Sequence, residues 1–457
     1  MGLQKYFSLG CFLCLCFLLA LKPQLSHSLT LQEALTEAES QSPESQIWRA
    51  EDARIHAQKW QAWGEAFPQV NAYAQYGKVS IPIEMGAFGE VFGGFASLLD
   101  SNQLSNFGPP SNPLINTADQ YSYGLEIQQS LFSFGRLSQT VKIANYEEKA
   151  LLLSQQRRRN ELKYQVLQAY GGVLLAQARL QVLKSSAQRH QENESFLERN
   201  FKAGAGARAH LLMAKAAVLA LEPQILQAEK AVQISRLQLG TLLGRKTALN
   251  DSLQPIATQA SLADTSEVNT SSPWENQRKD YKALELQIKS LEGQAKYMEM
   301  LGRPSLGASA KLGITAFEAD QLADPDYRDW MIGLAFRWNL FNGRQNHYRS
   351  QQMMAEVAIL QTRQQQMKNY IQMDIASALA DARSCTRSLN AAKEAVEAAR
   401  EAWELHNDAY KRGTGLLSDV LSSEEMYRLQ ELAVLAAYWE CQFASVRLKL
   451  ALGKDVL

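Results

Sequence analysis

Two hydrophobic periods alternate along the chain. In the segment after Gly343, the side chains of Ile371, Ile375, Ala378, Ala382, Cys385, Leu389, Ala392, Val396, Ala399, Trp403, His406 and Tyr410 step by alternating fours and threes. That spacing is a heptad seam and predicts a helix lying lengthwise against another. An earlier segment holds the same register through Val173, Ala176, Leu180, Leu183, Ala187, His190, Glu194, Leu197 and Phe201, with the polar pair His190 and Glu194 breaking it. No proline interrupts Gly135 to Lys202 or Gly343 to Arg412. At 1.5 Å per residue, each predicts a helix of roughly 100 Å. Beyond each, a second helix is predicted, about Arg208 to Leu243 and Leu416 to Leu452, the latter with Val420, Tyr427, Val434, Cys441 and Leu448 on one stripe. Each pair reads as an antiparallel hairpin. Gly204, Gly206, Gly413 and Gly415 are expected to supply the left-handed backbone positions that reverse the chain.

The second period is two, and it predicts four strands. Trp330, Ile332, Leu334, Phe336, Trp338 and Leu340 alternate with Met331, Gly333, Ala335, Arg337 and Asn339. The same alternation runs through Ser305 to Ile314, Tyr121 to Leu131, and Phe67 to Ser80. Such strands are long enough to cross a bilayer when tilted, with Tyr121, Tyr123, Trp330 and Trp338 near the ends. The apolar face then meets lipid. In a soluble sandwich it would meet a core instead. Four strands cannot close a barrel, and an open edge in lipid costs several kcal/mol per unpaired backbone group. The sheet is therefore either soluble or shared between subunits. The link from Lys78 to Asp119 is Gly-, Pro-, Asn- and Phe-rich and reads as a long loop, whereas Ala316 to Asp329 is short and acidic.

These elements occur twice in the same order. Leu197 to Gly206 (LERNFKAGAG) answers His406 to Gly415 (HNDAYKRGTG), and Leu243-Gly244 answers Leu452-Gly453. Leu131 to Arg136 answers Leu340 to Arg344 with one residue dropped. The expected organisation is a signal peptide over 1–28, a first structural repeat over 29–249, a Ser/Thr/Ala-rich connector over 250–273 and a second repeat over 274–457.

Composition narrows the classes. Of 457 residues, 47 are Lys or Arg and 47 Asp or Glu, so no basic excess exists to neutralise phosphates and nucleic acid is not an expected partner. Lys5, the apolar run Leu9 to Leu21 and Ser26-His27-Ser28 read as an export signal, the alternative being an N-terminal membrane anchor, for which the apolar run is short. Ser8-Leu9-Gly10-Cys11 faintly resembles a lipoprotein box but precedes most of the apolar run, and whether the N-terminus is lipidated stays open. No other segment offers a long uninterrupted apolar stretch, so any membrane crossing would use strands. Cys11, Cys14 and Cys16 leave with the signal, while Cys385 and Cys441 occupy seam positions as small hydrophobes, and no disulfide framework is indicated. His27, His56, His190, His210, His347 and His406 lack zinc-site spacing, and Arg157-Arg158-Arg159 reads as a solvated helix face or an anion-attracting patch. Neither a nucleophile elbow nor a phosphate-binding glycine loop is present, so no enzyme, cofactor or metal site is expected.

With these features in place, the chain resembles the TolC family of outer-membrane channels over essentially its whole mature length. The residues that carry the resemblance are Leu29 to Leu35 (LTLQEAL), Pro68 and Pro304 opening a strand in each copy, the two strand-to-helix passages, and Tyr410 to Leu421 (YKRGTGLLSDVL). The resemblance implies a mainly helical homotrimer with a twelve-stranded outer-membrane barrel, four strands per subunit, continuous with a helical coiled-coil tunnel through the periplasm. It also implies an exit duct of a tripartite efflux or type I secretion system, working with a periplasmic adaptor and an inner-membrane transporter on small toxic compounds or secreted protein. In that frame Asp419 lines the periplasmic aperture. Lys202, Gly204, Gly206, Lys411, Arg412, Gly413, Gly415 and Ser418 form the adaptor-docking tips, and Trp330, Ile332, Leu334, Phe336, Trp338 and Leu340 face outer-membrane lipid. The other role open to Asp419 is capping its helix. Ser422 and Gly415 stand where relatives often carry an acid and an arginine, which implies a single acidic ring. The alternative from another class is a secreted or periplasmic coiled-coil scaffold or adhesin without channel activity.

Overall fold

The computed structural model describes residues 28–82, 115–245, 251–255 and 274–456, with the side chains of 79–82 and 115–118 left aside. All of the expected signal peptide but Ser28, most of the long loop and most of the connector lie outside the described residues.

The chain runs β1 (Ser28–Leu29), α1 (Leu31–Gln41), α2 (Pro43–Gly64), β2 (Gln69–Pro82), β3 (Ile115–Phe132), α3 (Arg136–Lys202), α4 (Arg208–Leu242), β4 (Ser252–Leu253), α5 (Lys279–Met300), β5 (Ser305–Ala316), β6 (Arg328–Arg337), α6 (Gln345–Lys411) and α7 (Leu417–Ala451). The repeat holds to the residue in its helices. Both α3 and α6 have 67 residues, both α4 and α7 have 35, and both α2 and α5 have 22. The chain divides into two compact units that cut across the repeats, each drawing on both.

The first unit comprises Met1–Arg54, Lys149–Leu286 and Leu360–Leu457. It opens on a capping box, in which Glu33 N–H donates to Thr30 Oγ1 and Thr30 N–H donates to Glu33 Oε2, closing two of the free donors at the start of α1. The helix then breaks at Ser42, and Pro43 opens α2, where its missing N–H costs nothing. The heptad seam of α6 is realised: Ile371, Ile375, Ala378, Ala382, Cys385, Leu389 and Ala399 are all buried. Near its end the seam slips. His406 is exposed and Asn407 is half-buried in its place, which corrects the expected register.

The described start of the connector lies against the helical body, where its composition placed it. This start, β4, pairs in parallel with β1, and the Tyr170 hydroxyl lies 2.8 Å from the Leu29 carbonyl and 2.7 Å from that of Gln254. Burial pushes the Tyr170 phenol up to about 12, so it keeps its proton and holds both strands to α3. Of Arg157, Arg158 and Arg159, only Arg159 is exposed as a solvated face would have it; the other two are partly buried and paired. Arg157 pairs with Glu161 at 2.7 Å and donates to the Leu450 carbonyl at 2.6 Å, Arg158 pairs with Glu51, and Arg159 stacks over Trp48. Among the described residues, one helix is long and apolar enough by length and composition to cross a membrane, although it is not the uninterrupted apolar stretch whose absence was expected. It is α4, and only 11% of its apolar window is buried. Lys215, Glu222 and Pro223 interrupt it in sequence. Exposed Leu212, Leu219 and Leu226 recur every seven residues, an outward seam rather than a lipid span.

The second unit comprises Ile55–Glu148 and Gln287–Ile359. Its helices are joined by Lys59 to Glu148 at 2.8 Å, by Ser290 and Gln294 to Glu147, and by buried Gln139 donating to the Gly293 carbonyl at 3.0 Å. Its sheet is fully antiparallel in the order β2-β3-β5-β6. The two hairpins thus meet at β3 and β5, leaving β2 and β6 as edges. The ladder ends where Ser305 pairs with Arg337, so Trp338 and Leu340 lie beyond β6, a correction to their assignment as barrel-strand residues.

Candidate functional site

Two surfaces carry the candidate residues, the sheet in one unit and the helical turns in the other. In the sheet, register sorts side chains by chemistry. One row across all four strands reads Val70, Ile127, Ala310, Ile332, and the next on that face reads Ala72, Leu125, Leu312, Trp330. Rows on the other face read Asn71, Glu126, Lys311, Met331 and Gln69, Gln128, Ser309, Gly333. The polar face is internally paired. Lys311 Nζ lies 3.4 Å from Glu126 and 5.7 Å from the centre of the Tyr73 ring, and Thr315 donates to Asp329 at 3.0 Å.

The apolar face has no cover. Trp330 and Ile332 are each 74% exposed and Leu334 is 73% exposed, with Phe336 close behind. A soluble sandwich would bury this face, since exposing so large an apolar patch forfeits about 25 cal/mol per Å². Trp338 and Leu340 are exposed as well, past the end of the strand.

At the turns, the two hairpins end alike. Gly204 and Gly413 are left-handed, with φ of 75° and 80°. The amide three residues past each helix donates back five residues, Ala205 to Asn200 and Thr414 to Ala409, which satisfies carbonyls that would otherwise be orphaned. Gly206 and Gly415 serve differently from expectation, because neither is left-handed. A Cβ on either would lie 2.9 Å from a backbone nitrogen, that of Phe201 or Tyr410, so glycine there permits close chain approach. Buried Leu197, Ala214 and Leu417, with Tyr410 and Leu421 against them, join α3, α4, α6 and α7 beside these turns. The Tyr410 hydroxyl lies 3.3 Å from His210 Nδ1.

Lys411, Arg412 and Ser418 are exposed, as is Lys202, which pairs with Glu198 at 2.8 Å. Asp419 does not cap its helix. Leu416 occupies the cap position, and Asp419 is the third residue of α7, where its carboxylate favours the helix N-terminus and accepts from Ser418 at 3.3 Å.

A buried ionic cluster lies farther along the same helices. Glu424, 2% exposed, accepts from Ser186 at 2.7 Å and from Arg189 at 2.9 and 3.0 Å, while His190 Nε2 lies 2.7 Å from its other oxygen. Arg189 also reaches Glu431 at 3.0 Å and packs over Trp403 and Tyr427. Burial raises the Glu424 pKa, but His190, Ser186 and Arg189 outweigh it and the carboxyl ends below its ordinary range. His190 was legible as a polar break in the seam. For Glu424 the sequence carries one signal, a charge one turn after Val420 on an apolar stripe. Among the described residues, no group of three His, Cys, Asp or Glu side chains is placed to hold a metal ion.

An apolar belt on one sheet face, a polar opposite face and paired helical hairpins define an outer-membrane channel of the helical-tunnel type. The chain belongs to the outer membrane efflux protein family, whose profile matches residues 34–245 and again 272–454, once per repeat. It is thus an efflux channel, the exit duct of a tripartite system, seated in the outer membrane and extending into the periplasm. Among solved structures, the fold is similar to VceC from Vibrio cholerae (18% identity, 93% of this chain and 97% of that one, TM-score 0.72). It is similar also to the Campylobacter jejuni CmeC channel (16% identity, 93% and 85%, TM-score 0.73) and to the open Neisseria gonorrhoeae MtrE channel (18% identity, 93% and 89%, TM-score 0.70). A search of curated proteins found no match.

Proposed function

We propose that three copies of the chain assemble, each adding its four strands to one twelve-stranded barrel, and that the trimer carries small toxic compounds or a secreted protein handed over by an inner-membrane transporter through a periplasmic adaptor. The observation that carries this reading is the open sheet: β2 and β6 each present an unpaired edge beside an apolar face, and lipid tolerates no such edge. A shared barrel pairs β6 of one copy with β2 of the next. The outward seam of α4 at Leu212, Leu219 and Leu226 supports contact between copies along the helices.

In the trimer, the exposed Lys202, Lys411, Arg412 and Ser418 beside Gly204, Gly206, Gly413 and Gly415 dock the adaptor. Charge reversal is the sound test, because a side chain at Gly413 or Gly206 disturbs the turn itself. In a strain lacking the native gene, Lys411→Glu with Arg412→Glu is expected to abolish recovery of resistance to toxic compounds while trimer and membrane insertion persist. Undiminished resistance would move docking elsewhere.

Three Asp419 carboxylates line the aperture as an electronegative ring that favours cations. Single-channel recording is expected to show cation preference and block by multivalent cations from the periplasmic side, both reduced together in Asp419→Asn. Unchanged selectivity and block in that variant would remove Asp419 from the aperture.

A further inference from the structure

Cys385 on α6 and Cys441 on α7 meet in the seam of the second hairpin. They are 5% and 1% exposed and share one core cluster with Leu389, Ala437 and Ala444. Small side chains surround them, since Ala382 lies one step along α6 and Ala437 and Ala444 flank Cys441 on α7. Such a seam lets two helix backbones approach closely, as a disulfide between facing helical positions requires. The Cys385 thiol lies 3.4 Å from the Ala382 carbonyl. Burial, reinforced by the neighbouring Cys385 thiol, pushes Cys441 up to about 12. The corresponding positions of the first hairpin hold Ala176 and Val232, so the pair is complete in one hairpin and wholly missing from the other.

We propose that Cys385 and Cys441 are joined by a disulfide in the exported protein, a covalent staple across the second helical hairpin. The helices stand in the periplasm, where disulfides form and persist. The oxidant is a disulfide carrier of that compartment. One cysteine thiolate attacks the carrier's S–S bond, forming a mixed disulfide and releasing one carrier thiolate. The second cysteine thiolate then attacks the protein sulfur of that mixed disulfide and releases the other. One S–S bond breaks and one forms, two cysteine protons leave, and the carrier ends as a dithiol. In the closed seam both sulfurs are buried away from any carrier, so the exchange occurs before the hairpin has finished zipping. The loop the disulfide encloses contains the Gly413–Gly415 turn, so the staple restrains the second hairpin against opening from that turn.

The test uses the full-length protein in outer membranes from aerated cells, denatured with an alkylating agent and without reductant, then digested and weighed. Most chains are expected to yield one linked peptide pair containing Cys385 and Cys441, lighter by two hydrogens than the separate peptides, with alkylation only after reduction. Alkylation of both cysteines in most chains before reduction, or linkage mainly between subunits, would overturn the staple. Reductant is further expected to lower the melting temperature of the wild-type protein and to leave the Cys385→Ala, Cys441→Ala variant unmoved. An equal shift in both would also count against it.

Discussion

Leu334→Arg is expected to remove the protein from the outer membrane, whereas Ala335→Arg, its neighbour in sequence, is expected to insert and assemble. The two side chains differ in face. Leu334, 73% exposed, pairs with Ala308 and alternates onto the face of Ile332 and Trp330, while Ala335 pairs with Gly307 on the face of Gly333 and Arg337. An arginine at the bilayer midplane costs roughly 2–4 kcal/mol in each subunit, and a threefold assembly incurs that three times. An arginine on the polar face remains in water. Membrane fractionation with heat-modifiability on gels measures both variants. Equal loss for the two would mean that the polar face is also enclosed, as in a soluble core, and equal tolerance would mean that neither face meets lipid.

The second large effect falls on the buried cluster at Glu424. Glu424→Ala leaves His190 and part of Arg189 desolvated without the carboxylate that held them. Breaking a buried ion pair on one side costs about 3–5 kcal/mol. That loss is large against ordinary point substitutions, and it should appear as a lower melting temperature with unchanged strand content. The cluster also sets an acid limit. The Glu424 carboxyl has a folded pKa below its unfolded value, so its contribution is fully present above the unfolded value of about 4.3 and is lost as pH falls through the folded one. Glu51, held down first by its hydrogen bond from Arg158, adds in the same direction. So does Asp280, where Arg278 and Arg157 outweigh a burial that alone would raise it. Wild-type stability is expected to fall below about pH 4, and Glu424→Gln to show a shallower fall. Identical acid profiles for the two would mean that the cluster contributes no stability.

The fold was legible in the sequence wherever one period persisted over many residues. The heptad seam of α6 and the alternation of β6 each repeat often enough to fix a face, and the internal repeat fixed the order of elements. Local geometry was harder to read. Gly204 and Gly206 look alike in sequence, yet one is needed for its left-handed backbone and the other for want of a Cβ, a distinction that depends on where Phe201 comes back against the turn. The alternation of β6 continues to Leu340 in sequence, but β5 supplies no partner past Ser305 and the ladder stops. Charges were legible least. Arg157, Arg158 and Arg159 find Leu450, Glu51 and Trp48, and Arg189 finds Glu424 235 residues away, pairings that only the tertiary packing of the helices creates. Cys385 and Cys441 likewise each read as one more small apolar residue until their two helices were brought together.

The central claim is that one chain supplies a third of a barrel, and the most direct measurement is the native mass of the protein extracted from outer membranes in mild detergent. Three copies in a single folded, strand-containing particle, with no folded monomer on dilution, is the predicted result, because the β2 and β6 edges are closed only by another copy. A monomer that stays folded and inserted in membranes with its four-stranded sheet intact would contradict it.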